Sequence, residues 1–250
     1  MPRNVDEEHG RSLLSAVERV LAPTDTLVAL AAKHRDAARE STGDDETEVR
    51  RQASQTVIRH YSNRAMVVGA AATLPGSLPG VGTVVALVSG TVLDVTFLLK
   101  WEVEMALVLS ELHGFDIQKN AERQLAFLMA SVGTYDAQSG KNFFLDVLSA
   151  EREAVWNYTP RRMGKAIATV LGFIALMRLG RGFMRLVPLV GPLVGAVGNK
   201  VLTQRVGERC RQDFETRRML THKAAAPAKK AVARGRRPVR ASKRRAPASG

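Results

Sequence analysis

The residue types that most often carry chemistry are few in this chain, and their spacing matches no familiar catalytic or metal-binding pattern. The histidines are scattered, and none falls in an HExxH or ExxH arrangement: His9, His34, His60, His113 and His222. The single cysteine, Cys210, lies between two arginines, which would lower the pKa of an exposed thiol, but no positioned base accompanies it. We interpret it as an ordinary helix residue. The sequence therefore predicts no metal ligand, no cofactor-binding residue and no catalytic residue.

Two further patterns suggest a chemical role, but each has a better structural interpretation. Glu102, Glu104 and Glu111 could form an acid/base cluster, but a solvated polar face of an amphipathic helix is the better interpretation. Residues 133–141 superficially resemble a phosphate-binding loop, but six residues separate the two glycines instead of four, and Asn142 replaces the hydroxyl that would bind magnesium. We interpret this segment as a polar break between helices. No small-molecule substrate is indicated.

The composition bounds the fold that must position these residues. The chain has 250 residues, of which 45% are apolar and only 5% aromatic. This excludes wholesale disorder and favours helices packed through small side chains over a β-sandwich. One cysteine excludes an intramolecular disulfide framework and is typical of a reducing compartment. Acidic residues stand where a secretory signal would need an apolar run, so we expect an intracellular protein.

The pattern of breaks predicts an all-α bundle of helical hairpins in three parts. Residues 1–45 form an N-terminal hairpin, residues 46–220 a larger helical domain, and residues 221–250 a disordered tail rich in Ala, Lys, Arg and Pro. Within the domain we expect helices over 46–73, 81–113, 117–132 and 143–156, one opening at Thr159-Pro160, and a last helix ending near Leu220. The second half of the helix over 81–113 is expected to be only half covered.

Two apolar segments rich in Pro and Gly, residues 74–80 and 188–195, cannot continue a helical ladder and predict tight turns. Gly114 suits a left-handed position that ends a helix, and Asp116 suits the N-cap of the next.

Four sequence segments together resemble the EcsC family. They are GAAATLPGSLPG (69–80), Asp94 on the following apolar helix, HGFD (113–116) and VPLVGPLVGAVGN (187–199). The resemblance covers about residues 50–218 and implies an all-helical bacterial protein with a Gly/Pro-interrupted apolar centre. The name-giving member is encoded beside an ABC transporter, and no settled biochemical activity comes with the family. The family-motif residues in this chain are Pro75, Gly76, Pro79, Gly80, Gly82, Asp94, Gly114, Asp116, Pro188, Gly191, Gly195 and Asn199.

The apolar centre raises the question of a membrane. Residues 65–93 contain no charged residue and no histidine, and residues 81–99 carry one charge, Asp94. Their helical length of about 28 Å approaches a hydrocarbon core of about 30 Å, but the cost of Asp94 offsets most of the apolar gain. We favour a buried helix over insertion, and shallow attachment over spanning. For Asp94 we favour a structural pairing, with Asn199 as a candidate partner, over a functional acid in an apolar setting.

Basic residues suggest a polyanionic partner. The net charge is +13, and ten of the 37 Lys and Arg lie in residues 223–250, which hold no acid. Arg178, Arg181 and Arg185 share one arc of a helix and could meet lipid phosphates, or they could be a solvated face. The predicted anion-binding residues are these three together with Lys229, Lys230, Arg236, Arg237, Lys243, Arg244 and Arg245.

These observations favour a non-enzymatic, EcsC-like protein at the inner face of the bacterial membrane, peripherally attached and accessory to a transport or envelope process. The alternative is a nucleic-acid-associated adaptor that binds polyanions through its tail. A merely solubilising tail is the third interpretation. The sequence leaves open the protein partner and the oligomeric state.

Overall fold

The computed structural model describes residues 3–71, 83–139, 167–172, 174 and 191–235, and the side chains of residues 10–67, 95–135, 167–172, 174 and 197–221. The helices are α1 (Arg3–Val20), α2 (Thr24–Thr42), α3 (Glu46–Ala71), α4 (Thr83–Leu112), α5 (Asn120–Ser139) and α6 (Gly191–Gly235), with a further helical stretch at residues 167–172. These ranges contain helices and turns but no strand. The predicted all-α bundle is therefore confirmed.

The two helices predicted over residues 1–45 are α1 and α2, which Pro23 separates; α1 packs on α4, and α2 packs on α3 and α4. A second break precedes α3, where the Oδ1 atom of Asp45 accepts a hydrogen bond of 2.9 Å from the amide of Thr47. This bond satisfies one of the free amides in the first turn of α3. Leu13 and Val17 of α1 belong to the same buried cluster as the core residues of the other helices. Both α1 and α2 are thus packed onto the common core.

The central helix is α4, which packs against α1, α2, α3, α5 and α6. Residues 102–110 are all buried. The expectation that this half of the helix is only half covered is therefore wrong. Glu102 and Glu104 are buried and Glu111 is half-buried, so the predicted solvated acidic face is wrong as well. The helical pattern placed the glutamates outside the apolar stripe, but neighbouring helices cover both sides of α4 and supply polar partners for them.

The polar break expected at residues 133–141 is also contradicted, because α5 continues through Gly133 to Ser139. A Cβ atom at Gly133 would lie 3.3 Å from Cγ1 of Val206, so the glycine permits close packing of α5 on α6. At the other end of the helix, the Oδ1 atom of Asp116 accepts a bond from the amide of Gln118 within a turn. The helix itself begins at Asn120 instead of Ile117, so the prediction that Asp116 is its N-cap is wrong: the Asp116 side chain stabilises the preceding turn.

The C-terminal ends of α4 and α6 reflect the backbone preferences of glycine and alanine. Gly114 has a φ of +87°, which confirms the predicted left-handed helix end. The last helix, α6, continues to Gly235, beyond the end expected near Leu220. Alanine and lysine, which dominate residues 221–235, are strong helix formers. This part of the expected tail is helical in the structure, and residues 236–250 lie outside the described residues.

Cross-helix contacts fix the relative heights of α3, α4 and α6. Arg50 approaches Glu215, and Ile58 meets Gly207, so α3 and α6 run antiparallel. Glu102 meets Thr203 and His113 meets Glu215, so α4 and α6 run parallel. Residues 67 of α3 and 97 of α4 are therefore level with about residues 198 and 199 of α6.

Gly207 occupies the middle of this three-helix contact. A Cβ atom there would lie 2.8 Å from Cγ1 of Ile58 and 2.8 Å from Sδ of Met105, closer than real side-chain contacts allow. The absence of a side chain lets the three backbones approach one another, and the bundle has two ends on either side of this contact.

Candidate functional sites at the two ends of the bundle

One end of the bundle exposes large apolar side chains. We call it the apolar end, and it is defined by Val67, Phe97, Val197 and Val201, which are 63%, 38%, 54% and 39% exposed. They come from α3, α4 and α6 and lie at the same height by the register of these helices. Exposed apolar side chains are typical of interaction sites where they form a continuous patch, and the register places these four at one height on three helices.

The apolar end lies where α3, α4 and α6 meet the two segments rich in Pro and Gly. The tight turn expected over residues 188–195 is wrong for its second half, because Gly191 and Gly195 lie in the first turns of α6. Pro192 occupies a position where a helix tolerates proline, since the first helical amides need no partner within the helix. The remaining turn residues predicted from the sequence lie outside the described residues: Pro75, Gly76, Pro79, Gly80, Gly82 and Pro188. The arginines Arg178, Arg181 and Arg185 lie outside them too.

Of the predicted Asp94–Asn199 pair, the structure describes the side chain of Asn199 alone. Asn199 is 6% exposed, and its Nδ2 atom has no hydrogen-bond partner. Asp94 lies on α4, one helical turn before Leu98, but its side chain is outside the described set. Asn199 is thus a buried amide at the height of the apolar end, and the pairing with Asp94 stays a prediction.

Glu102 joins three helices in the core. The hydroxyl of Thr134 on α5 donates a 2.6 Å bond to its Oε2 atom, and the hydroxyl of Thr203 on α6 lies 3.4 Å from its Oε1 atom. A buried carboxylate is tolerated when it accepts such bonds. This arrangement gives Glu102 a structural part in holding α4, α5 and α6 together.

Glu104 joins the N-terminal hairpin to the core. Its Oε1 atom accepts a 2.8 Å bond from the amide of Ala22, between α1 and α2, and lies 2.6 Å from Nζ of Lys100. Burial, followed by the charge of Glu104, raises the pKa of the nearby Tyr61 hydroxyl. Glu102 and Glu104 are therefore buried and accept hydrogen bonds from groups outside α4, instead of facing solvent.

Cys210 is fully buried, and burial raises the pKa of its thiol. The interpretation as an ordinary helix residue is confirmed, because an activated thiol needs exposure and a lowered pKa. His34 and His60 lie with ring centroids 5.9 Å apart, and burial is the main cause that lowers the pKa of both. Among the described residues, no three side chains of metal-binding type come together.

The opposite end of the bundle contains a polar pocket of about 120 Å³, which we call the basic pocket. Arg50, which lines this pocket, precedes Val67 by seventeen residues on α3, or about 25 Å along the helix. Its lining residues come from α3, the end of α4 and α6: Thr47, Arg50, Arg51, Ser54, His113, Arg211 and Glu215.

His113 forms the buried wall of this pocket. Its Nδ1 atom lies 2.7 Å from the carbonyl oxygen of Leu109, which can only accept, so Nδ1 carries the proton in the neutral ring. Its Nε2 atom lies 3.4 Å from Oε2 of Glu215. Burial outweighs the attraction of Glu215 and lowers the pKa of His113 to about 4, so the ring is neutral at pH 7.

Reasoning from the sequence missed this pocket. Arg50, Arg51 and Ser54 stand on one face of α3, but their companions follow some 60 and 160 residues later along the chain. No local spacing joins them, and only the antiparallel packing of α3 on α6 brings them together. The basic residues singled out from the sequence are elsewhere: Lys229 and Lys230 lie on the last part of α6, and Arg236, Arg237, Lys243, Arg244 and Arg245 lie outside the described residues.

The fold and its two ends define an all-helical bundle with a polarised surface. None of the helices in the described ranges has an apolar stretch of the length that a bilayer crossing needs. Comparison of the chain with protein-family models, with curated proteins and with solved structures gave no match.

Proposed function

We propose that this protein is a non-enzymatic peripheral membrane protein that attaches to an anionic bilayer through its apolar end. The observation that carries the proposal is the exposure of Val67, Phe97, Val197 and Val201 at one height on three helices. These residues adjoin the two apolar Pro/Gly segments, one of which lies in the uncharged stretch 65–93. An apolar surface of this kind gains free energy when it enters the interfacial region of a bilayer.

The free energy gained on insertion is large enough to change the partition between water and vesicles measurably. Full burial of a Val or Phe side chain contributes about 1.5–3 kcal/mol, so burying the exposed parts of Val67, Phe97 and Val201 is worth roughly 3 kcal/mol together. That corresponds to about a hundredfold in the partition between water and vesicles. Single apolar anchors of this strength are reversible, and stable attachment generally needs a second signal.

Basic residues would provide the second signal. The chain carries a net charge of +13, with the excess concentrated at its C-terminal end and with Arg178, Arg181 and Arg185 following an apolar run. Each basic residue near an anionic leaflet adds about 1 kcal/mol. The resemblance to the EcsC family supports a location at the inner face of a bacterial membrane and an accessory part in a transport or envelope process.

Flotation of the full chain with vesicles tests this proposal. We expect it to float with phosphatidylcholine vesicles that contain phosphatidylglycerol, and less with phosphatidylcholine alone. The triple variant Val67→Gln/Phe97→Gln/Val201→Gln should lose at least tenfold in binding, because it removes most of the exposed apolar surface. The matched control is Met219→Gln/Leu220→Gln, which changes side chains that are 58% and 50% exposed near the opposite end. It should bind within twofold of the unchanged chain.

Two results would contradict the proposal. One is a full chain that stays with the soluble fraction at every lipid composition. The other is equal loss in the triple variant and its control, since binding would then not depend on the apolar end.

The nucleic-acid hypothesis is tested separately by deleting residues 223–250. If the chain binds duplex DNA and the deletion abolishes this binding while flotation survives, the tail serves a nucleic acid.

A further inference from the structure

We infer that the basic pocket is a binding site for a single phosphate-class oxyanion, in the form of free phosphate, a phosphate monoester or a lipid headgroup. The inference rests on the juxtaposition of three arginines and two hydroxyl-bearing residues around one small cavity. It is independent of membrane attachment, because the pocket and the apolar end lie at opposite ends of α3.

The size of the cavity suits one small anion. Its volume is about 120 Å³. A single water molecule needs about 10–15 Å³ of volume measured in this way, so the cavity has room for a small tetrahedral oxyanion or several waters.

Two buried polar groups in the pocket lack hydrogen-bond partners. Ser54 is 0% exposed, and its Oγ atom has no partner. Arg50 is 9% exposed, its Nε atom has no hydrogen-bond partner, and the nearest Glu215 oxygen is 3.6 Å away. Buried polar groups are nearly always satisfied in folded proteins, so an exception beside a cavity points to a bound species that supplies the missing acceptor. An anion accepts from both a hydroxyl and a guanidinium.

Three arginines line the cavity, Arg50, Arg51 and Arg211, with one carboxylate, that of Glu215. The carboxylates that pair with Arg51 and Arg211 do not belong to the lining. Burial, followed by the charge of Arg218, lowers the pKa of Arg50, although Glu215 and Glu46 act in the opposite direction.

Glu48 and Glu208 pair with the two outer arginines, each three residues away on the same helix. The Arg51–Glu48 pair is exposed and such pairs are weak, so Arg51 can turn to a stronger ligand, whereas the Arg211–Glu208 pair is partly buried. Guanidinium groups match the geometry of phosphate oxygens and can bind them in a bidentate manner. The chemistry of the lining thus fits an oxyanion better than a metal cation.

Calorimetric titration of the full chain with inorganic phosphate at pH 7 and constant ionic strength tests the inference. We expect saturable binding at one site. Arg51→Gln should weaken it about tenfold, the usual effect of losing a charge-assisted hydrogen bond. Arg59→Gln is the matched control, because Arg59 is an exposed arginine on the same helix outside the pocket, and it should bind within twofold.

Two more variants exclude a purely structural effect. Ser54→Ala should weaken phosphate binding at least threefold while the unfolding midpoint without phosphate does not fall, since the hydroxyl has no partner to lose. Glu215→Gln should tighten binding, because it removes the one negative charge that lines the pocket. A destabilised fold would not produce a gain of affinity.

The outcomes decide the inference. Absence of saturable phosphate binding by the full chain overturns it, as does an equal effect of Arg51→Gln and Arg59→Gln, which would place the anion on the basic surface at large. In a competition arm, displacement of phosphate by vesicles containing phosphatidic acid supports the site with a lipid headgroup as its source. Failure of those vesicles to displace phosphate supports the site with a soluble phosphate compound.

Discussion

The two ends of the bundle use the same three helices for opposite purposes. At the apolar end, α3, α4 and α6 expose Val67, Phe97 and Val201 and bury the amide of Asn199. At the other end they bury His113 and Arg50 beside an open pocket lined by charged side chains. One end therefore leaves apolar groups in water and the other leaves polar groups without full partners.

The contrast shows that the two ends depart, in opposite directions, from the usual rule that apolar groups are buried and polar groups are exposed. Each mismatch costs free energy on its own, and each is relieved by a partner of the matching kind, a bilayer for the apolar side chains and an anion for the basic pocket. Between the two ends, Gly207 permits close packing, and the buried carboxylates Glu102 and Glu104 have hydrogen-bond partners.

The largest expected effect is a loss of folding stability at low pH, caused by His113 beside the basic pocket. The pKa of His113 is about 4 in the folded chain and near 6.5 in the unfolded chain, so the unfolded state binds the proton more readily. The contribution of His113 is present above pH 6.5 and is lost as the pH falls toward 4, by about 3 kcal/mol. Chemical denaturation at pH 7 and pH 4 measures this loss.

The matched variant for this measurement is His113→Asn, whose side-chain amide can still donate to the carbonyl of Leu109 but does not titrate. The variant should lose about 3 kcal/mol less than the unchanged chain over the same pH interval, since other acids titrate equally in both. If both chains lose the same stability, His113 is not the buried neutral group described, and the contrast between the ends weakens.

The next effect separates the packed middle from the open apolar end. Gly207→Ala should lower the free energy of unfolding by about 1–3 kcal/mol, because the new methyl group overlaps Ile58 and Met105. Gly198→Ala, at the apolar end, has nothing within 4 Å of its added carbon and should raise stability by about 0.5–1 kcal/mol. Urea denaturation measures both, and the same sign for the two variants would contradict the difference in packing.

A smaller effect is expected for ion pairs near the basic pocket. Arg217 pairs with Glu122 through two nitrogen–oxygen contacts, and its guanidinium carbon lies 3.9 Å from the ring centroid of Phe115. A double-mutant cycle with Arg217→Gln and Glu122→Gln should give a coupling of about 1 kcal/mol, as expected for a partly buried bidentate pair. The more exposed Arg51–Glu48 pair serves as the control and should give a coupling too small to resolve. Equal couplings would show that burial does not strengthen the first pair.

The smallest effect on stability belongs to the apolar end. Val67→Gln should change the free energy of unfolding by no more than about 0.5 kcal/mol, because the side chain is 63% exposed. The same substitution should weaken flotation with anionic vesicles. A large loss of stability would mean that Val67 serves the fold and not a partner.

Much of the architecture could be predicted from the sequence because local rules fix it. Pro23 and the capping Asp45 set the limits of the first three helices, and Gly114 adopts the left-handed conformation expected at a helix end. Local rules failed at Gly133, which looked like a break. The missing side chain there serves packing against Val206 and not a turn.

The candidate sites were less accessible to such reasoning. Glu102 and Glu104 have the sequence signature of a solvated face, and only the covering helices show that they bond to Thr134 and Ala22 in the core. The basic pocket has no signature at all, because Arg50, His113 and Arg211 are far apart in the chain.

The sequence by itself determined that the chain is helical, that its apolar centre is interrupted by proline and glycine, and that positive charge is concentrated at its C-terminal end. These properties depend on backbone preferences and composition, which act within a few residues. Only the tertiary structure decided which polar groups are buried, which apolar ones remain exposed, and which arginines share a cavity. Those outcomes depend on the register between helices, and register is set by contacts between residues that are distant along the chain.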